Sequence, residues 1–262
     1  MASRGGRSPS SPSGAPYVGG DLHTVAVVDD RVFLGGHERV VATSPTAPAW
    51  TRLASLDSAD AMGWAVTPGA VLVGGHPGLF RSTDRTATFT RATGTAALSD
   101  VHALGAAGNT VYAGSPQSGF LMSIDGGVSW TVRNASAGRS FMGTLLVDPK
   151  NPQRVIAPDM QNGIVTSSDG GRSWNSLGGP DGAMAVAWNP RNTAQLIAVG
   201  MNGGARSSDG GRSWQPIQLP SGTTAVSYAA DGNTLYAGAL RDQHAYLYSS
   251  RDGADWTAFD PR

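Results

Sequence analysis

The octet Ser-Ser-Asp-Gly-Gly-Arg-Ser-Trp occurs at residues 167–174 and again at 207–214, so its closing tryptophans, Trp174 and Trp214, lie forty residues apart. A repeat of that period marks one supersecondary unit used several times over. Four looser copies extend the series. Ser-Ile-Asp-Gly-Gly-Val-Ser-Trp ends at Trp130, and Ser82 to Phe89 keeps Ser, Asp and Thr but closes on Phe89. The copy from Ser250 to Trp256 is one residue short, and 43–50 is eroded, with Pro45 where the aspartate belongs. Six copies therefore close at residues 50, 89, 130, 174, 214 and 256.

The octet reads as a hairpin corner. Glycine accepts positive φ, while Asp and Ser side chains bond nearby backbone amides. The aromatic residue then opens a strand and packs inward. These residues resemble the Asp-box (bacterial neuraminidase repeat) β-propellers, whose members include sialidases, sortilin-type receptors and a photosystem assembly factor. The resemblance runs over about residues 20–260. It implies a fold and leaves function open, because those relatives do unrelated things. It also implies that Asp84, Asp125, Asp169 and Asp209 hold corners rather than perform chemistry.

Each unit reads as four short strands, for example 24–28, 32–35, 39–43 and 50–53 in the first. The expected architecture is an all-β six-bladed propeller over 20–262, preceded by a Ser/Pro/Gly-rich tether over 1–19. Ring closure is open: the first and last blades meet directly, or Tyr17-Val18 adds to the last. Composition agrees, with 36 glycines and 15% charged residues. A formal net charge of +0 argues against nucleic acid or an anionic membrane as partner, and no segment approaches a membrane span. The chain has no cysteine, which excludes disulfides and thiolate ligands. The tether ahead of a propeller predicts an exported or lipoprotein-tethered, extracytoplasmic protein.

In a propeller the start of each innermost strand and the end of the next strand converge on one mouth. The residues just before the innermost strands are His23, Met62, His102, Met142, Met184 and Thr224. The second column, at the ends of the following strands, holds His37, His76, Pro116, Met160, Met201 and Leu240. Nine of these twelve positions are His or Met, where the overall content of the two residues would place about half of one. Thioethers favour Cu(I), and imidazole accepts both copper oxidation states. The columns therefore predict copper at the mouth, held among His23, His37, His76, His102, Met62, Met142, Met160, Met184 and Met201. Methionines packing an irregular channel are the plain alternative. Asp21, Asp60 and Asp100 each stand two residues before a first-column position, either to orient imidazoles or to cap the incoming turn.

The expected function is thus extracytoplasmic copper storage, delivery or tolerance. Two alternatives stand beside it: a scaffold whose top face docks a protein partner, and a glycoside hydrolase. A sialidase is not expected, since Glu38 is the only glutamate and the family's arginine-isoleucine-proline signature is missing. Hydrolases with paired aspartates would draw on Asp159 or Asp242.

Overall fold

The computed structural model describes residues 14–94 and 97–259. The described residues are almost entirely β-strand and turn, with a short turn of 3-10 helix at Ala54–Leu56. Blade one is Leu22–Val28, Arg31–Gly36, Val40–Ser44 and Ala47–Arg52; blade two is Gly63–Thr67, Ala70–Gly74, Leu79–Ser82 and Thr90–Arg91. Blade three is Ala103–Ala107, Thr110–Ser115, Gly119–Ser123 and Thr131–Asn134. Blade four follows with Leu146–Val147, Val155–Asp159, Gly163–Ser167 and Asn175–Gly178. Blade five is Ala185–Asn189, Asn192–Gly200, Gly203–Ser207 and Gln215–Ile217, and blade six Thr223–Tyr228, Leu235–Arg241, His244–Ser250 and Thr257–Ala258. Every blade is an antiparallel meander in chain order, so the six-bladed propeller is as expected. No helix among the described residues is long and apolar enough to cross a membrane.

The strands form where Val, Leu, Ile and aromatic side chains cluster, because a blade has apolar neighbours on both faces. Six core layers result, each filling the gap between successive blades. In the layer between blades three and four, Phe120 stacks on Tyr112 at 5.3 Å and meets Trp174 edge-on at 4.9 Å. The corner glycines complete these layers. A Cβ on Gly171 (φ +85°) would lie 2.1 Å from the Phe120 ring of the preceding blade, so no larger residue fits there.

The corners are clasped as their sequence requires. Asp169 Oδ1 accepts from Ser167 Oγ at 2.8 Å and from the amides of Arg172 and Ser173 at 2.9 and 3.0 Å. Its other oxygen takes the Ser173 hydroxyl at 2.6 Å. Asp84, Asp125 and Asp209 repeat this arrangement. The shortened copy does so too, through Asp252 with Ser250, Ala254 and Asp255. Only the eroded copy departs: Ser44 pairs directly with Ala47 across a tight hairpin. The clasped corners sit against the first turns of their blades, at the end away from the mouth, as the bond from Gly170 N to Gln153 O shows.

The ring closes on the last blade. Tyr17 bridges to His244, Val18 N donates to Gln243 O, and Ala245 N donates to Pro16 O. This answers the closure question in favour of an added N-terminal segment. Of the expected tether, residues 1–13 lie outside the described residues.

Blade four breaks the pattern. Its innermost strand is split, and Gly143–Thr144 leaves it to pair in parallel with Ala103 and Leu104 of blade three. Gly143 N donates to His102 O at 2.8 Å. The spot a Gly143 Cβ would occupy lies 3.0 Å from Met184 O, 3.9 Å from His23 O and 4.0 Å from Met62 O. Carbonyls from four other blades thus surround this residue, which fills the axis at the mouth. Its φ of +63° and the crowding together account for glycine here.

Candidate functional site

The four mouth histidines form two pairs, and each pair closes on one aspartate. His23 Nε2 lies 2.8 Å and His37 Nδ1 3.2 Å from Asp60 Oδ1. His102 Nε2 lies 2.9 Å and His76 Nδ1 3.6 Å from Asp100 Oδ1. Each cluster spans a blade junction. His23 and His37 belong to blade one, while Asp60 stands in the loop entering blade two. His76 follows the second strand of blade two, while Asp100 and His102 lead into blade three.

Local sequence builds the first cluster in three ways. Asp60 takes a left-handed backbone conformation (φ 44°), which Asp tolerates better than most residues and which turns its carboxylate back over blade one. His37 is fixed by its amide, which donates to Asp21 O at 3.0 Å. The glycines before it are obligatory, since a Cβ on Gly35 would lie 2.6 Å from Ala61 O and one on Gly36 2.6 Å from Val18 O. The Gly-Gly-His turn is thus the place where the next loop crosses over the strand end.

The electrostatics are unusual for so short a contact. Burial works to raise the Asp60 carboxyl, but the adjacent imidazoles of His23 and His37 outweigh it and hold the group below its ordinary value. His23 Nε2, Asp60 Oδ1 and Asp100 Oδ1 are buried from solvent, so they depend on these imidazole–carboxylate contacts. Buried polar groups need such partners, because leaving one unpaired is costly. Asp21 joins the first cluster: its carboxylate and the ring nitrogens of His23 and His37 offer ligand atoms within 4.8 Å of one another. Two imidazoles and the Asp21 carboxylate form an N/O donor set suited to a transition-metal dication, with the Asp60 carboxylate packed against the imidazoles beside it.

The five mouth methionines do not share one environment. Met62 is buried, Met142 is half-buried, and Met184 packs on the core layer between blades five and six. Met160 is 42% exposed and Met201 71%, the latter lying against Gly182. The fifth histidine, His244, opens the third strand of blade six and joins neither cluster; it lies edge-on to Tyr17 with its Nδ1 2.7 Å from Asp242 O. The carboxylates offered for hydrolysis are differently placed. Asp159 spends its oxygens on Ser140, the Gln161 amide and Asn162, and so holds a turn. The sequence singled out Asp21, Asp60 and Asp100 by position. It left unseen that Asp60 serves the preceding blade, a relation set by how blades rotate past one another.

No family model matches the chain, and no curated protein matches it. Solved structures do. A GH74 xyloglucanase from Xanthomonas campestris is 18% identical with a TM-score of 0.61 over 96% of this chain, which spans only 46% of that enzyme. YCF48 bound to D1 peptide is 15% identical with a TM-score of 0.57, covering 96% of this chain and 86% of that one. A chain of the nidogen/laminin complex reaches 0.66 at 12% identity, over 88% and 93% of the two. Likeness at these identities shows the β-propeller fold, which glycoside hydrolases and protein-binding propellers share.

Proposed function

We propose that this chain is a metal-binding propeller of the Asp-box type, whose top face holds a transition-metal ion among Asp21, His23, His37 and Asp60. Copper is the first choice. The observation that carries the reading is the convergence of Asp21, His23 and His37, whose ligand atoms lie within 4.8 Å of one another, with the buried Asp60 Oδ1 set against both imidazoles. A bound cation would draw its donors from this group. Among first-row dications an N/O site of this kind binds Cu²⁺ most tightly. The carboxylates beside the imidazoles move the preference from Cu(I), which the methionines suggested, to Cu(II). Cu(II) is the oxidised ion of an oxidising compartment, in keeping with an extracytoplasmic role in storage, delivery or tolerance.

The test is direct. Chelator-stripped protein is dialysed against Cu²⁺ and its metal content measured per chain. Stoichiometric retention that is lost in a His23→Ala/His37→Ala variant supports the reading. Retention at the level of a metal-free control protein removes it.

A second reading, a protein-docking scaffold, draws on the exposed Met160 and Met201 and on the likeness to YCF48 bound to D1 peptide. Capture of a partner that Met201→Ser abolishes in metal-free buffer would favour it.

A further inference from the structure

The second His–Asp–His cluster repeats the residue types of the first one blade further on, in a more open arrangement. Asp100 is only 8% exposed, and its buried Oδ1 faces two ring nitrogens 2.9 and 3.6 Å away. Its loop is held rigidly: Val101 N donates to Gly75 O and His102 N to Gly114 O. A Cβ on Gly74 would lie 2.5 Å from the Val101 side chain, so the sequence keeps that approach open. A carboxylate that merely capped this turn would accept from nearby turn groups, as Asp159 does from Ser140, the Gln161 amide and Asn162. Asp100 points at imidazoles instead.

We propose that His76, Asp100 and His102 form a second, independent metal site, so that the chain holds two dications flanking blade two. This inference rests on the reading of the first cluster as a metal site. The two differ in tightness. The first gathers Asp21, His23 and His37 donors within 4.8 Å of one another beside Asp60, and its His23 side chain is 15% exposed. The second is more open: its three donors do not all come within 4.8 Å of one another, so His76, 66% exposed with its nitrogen at 3.6 Å, has to swing inward to complete it. An ion there keeps coordination positions open to water or to an incoming donor group. The second site is therefore the weaker and faster-exchanging of the two. Both ions cross a junction, the first tying blade one to the entry of blade two and the second tying blade two to blade three.

The experiment is a metal titration of the full chain with Cu²⁺, and separately with Zn²⁺, read as ions bound per chain by elemental analysis and as affinity by calorimetry. The expected result is two ions with at least about tenfold different affinities. His76→Ala/His102→Ala should remove the weaker and His23→Ala/His37→Ala the tighter. His244→Ala should change neither. Asp100→Asn, which preserves volume, should also remove only the weaker ion, and melts in chelator show that each variant is folded. One ion per chain, lost in the His23/His37 variant and kept in the His76/His102 variant, overturns this inference and leaves the proposed function standing. Joint loss of both ions in either variant also overturns it, since the sites would then be one centre. No ion at all removes both.

Discussion

The carbonyl oxygen of Asp60 lies 2.1 Å from the point where a side chain on Gly75 would begin. This contact ties the turn that carries His76 to the loop that carries Asp60, and so couples the two histidine clusters through blade two. A methyl group cannot be accommodated without displacing the loop, because the neighbouring atom is backbone rather than a flexible side chain.

Gly75→Ala is therefore expected to destabilise the fold by about 1–3 kcal/mol, the range for overpacking a close contact. It should also weaken Cu²⁺ binding at the first cluster. Urea unfolding and calorimetry check the two effects. An unchanged midpoint with unchanged affinity would show that the loop yields freely.

Asp60→Asn keeps the shape of the side chain but removes the charge facing His23 and His37. Copper affinity at that cluster should fall at least about tenfold, the minimum expected even for a group that only supports a ligand. Circular dichroism should be unaltered. Calorimetry on the wild type and the variant makes the comparison.

The corner aspartates predict an acid limit. The Thr88 hydroxyl and amide and the Ser82 hydroxyl hold the Asp84 carboxyl down to about 2, from an ordinary value of 3.8. Ser123 and Ser129 on Asp125, and the matching serines on Asp169 and Asp209, hold those groups well below the usual carboxylate range. A group lowered on folding contributes stability that is present above its unfolded value and lost as pH falls towards the folded one. The melting temperature should be level above about pH 5 and drop steadily between about pH 4 and 2. Asp84→Asn should shallow that slope. A melting temperature flat down to pH 2 would show that the clasps contribute nothing.

Blade two carries a corner without glycines. Arg85 and Thr86 adopt φ of 57° and 68°, where the other clasped corners place glycine at one or both positions. Left-handed backbone costs an ordinary residue roughly 1–2 kcal/mol, partly offset by the extra chain entropy of glycine. Arg85→Gly should thus stabilise by up to about 1 kcal/mol, measured as a raised urea midpoint. A lowered midpoint would mean that the exposed arginine makes a contact worth more than the strain.

The architecture was readable because the octets repeat: a corner that clasps itself is a local device, and local devices survive in sequence. The identity of the mouth residues was readable for the same reason, since repeat alignment places His23, His37, His76 and His102 at equivalent strand ends. What alignment could not supply is the rotation between blades. Equivalent positions face different neighbours, so His37 and His76 meet carboxylates while Met160 and Met201 meet solvent. The crossing of Gly143–Thr144 to blade three was hidden too, because a two-residue departure leaves no periodic trace.

That crossing has a consequence for traffic. A propeller usually offers a bore from one side to the other, but here backbone stoppers it just beneath the histidines. Below the stopper lies an open pit of about 220 Å³ bounded by Val25, Trp64, Thr144, Leu145 and Ser227, which offers no carboxylate or imidazole to a cation. Whatever ion settles above must arrive and depart through the same doorway, and any protein that collects it has to dock there.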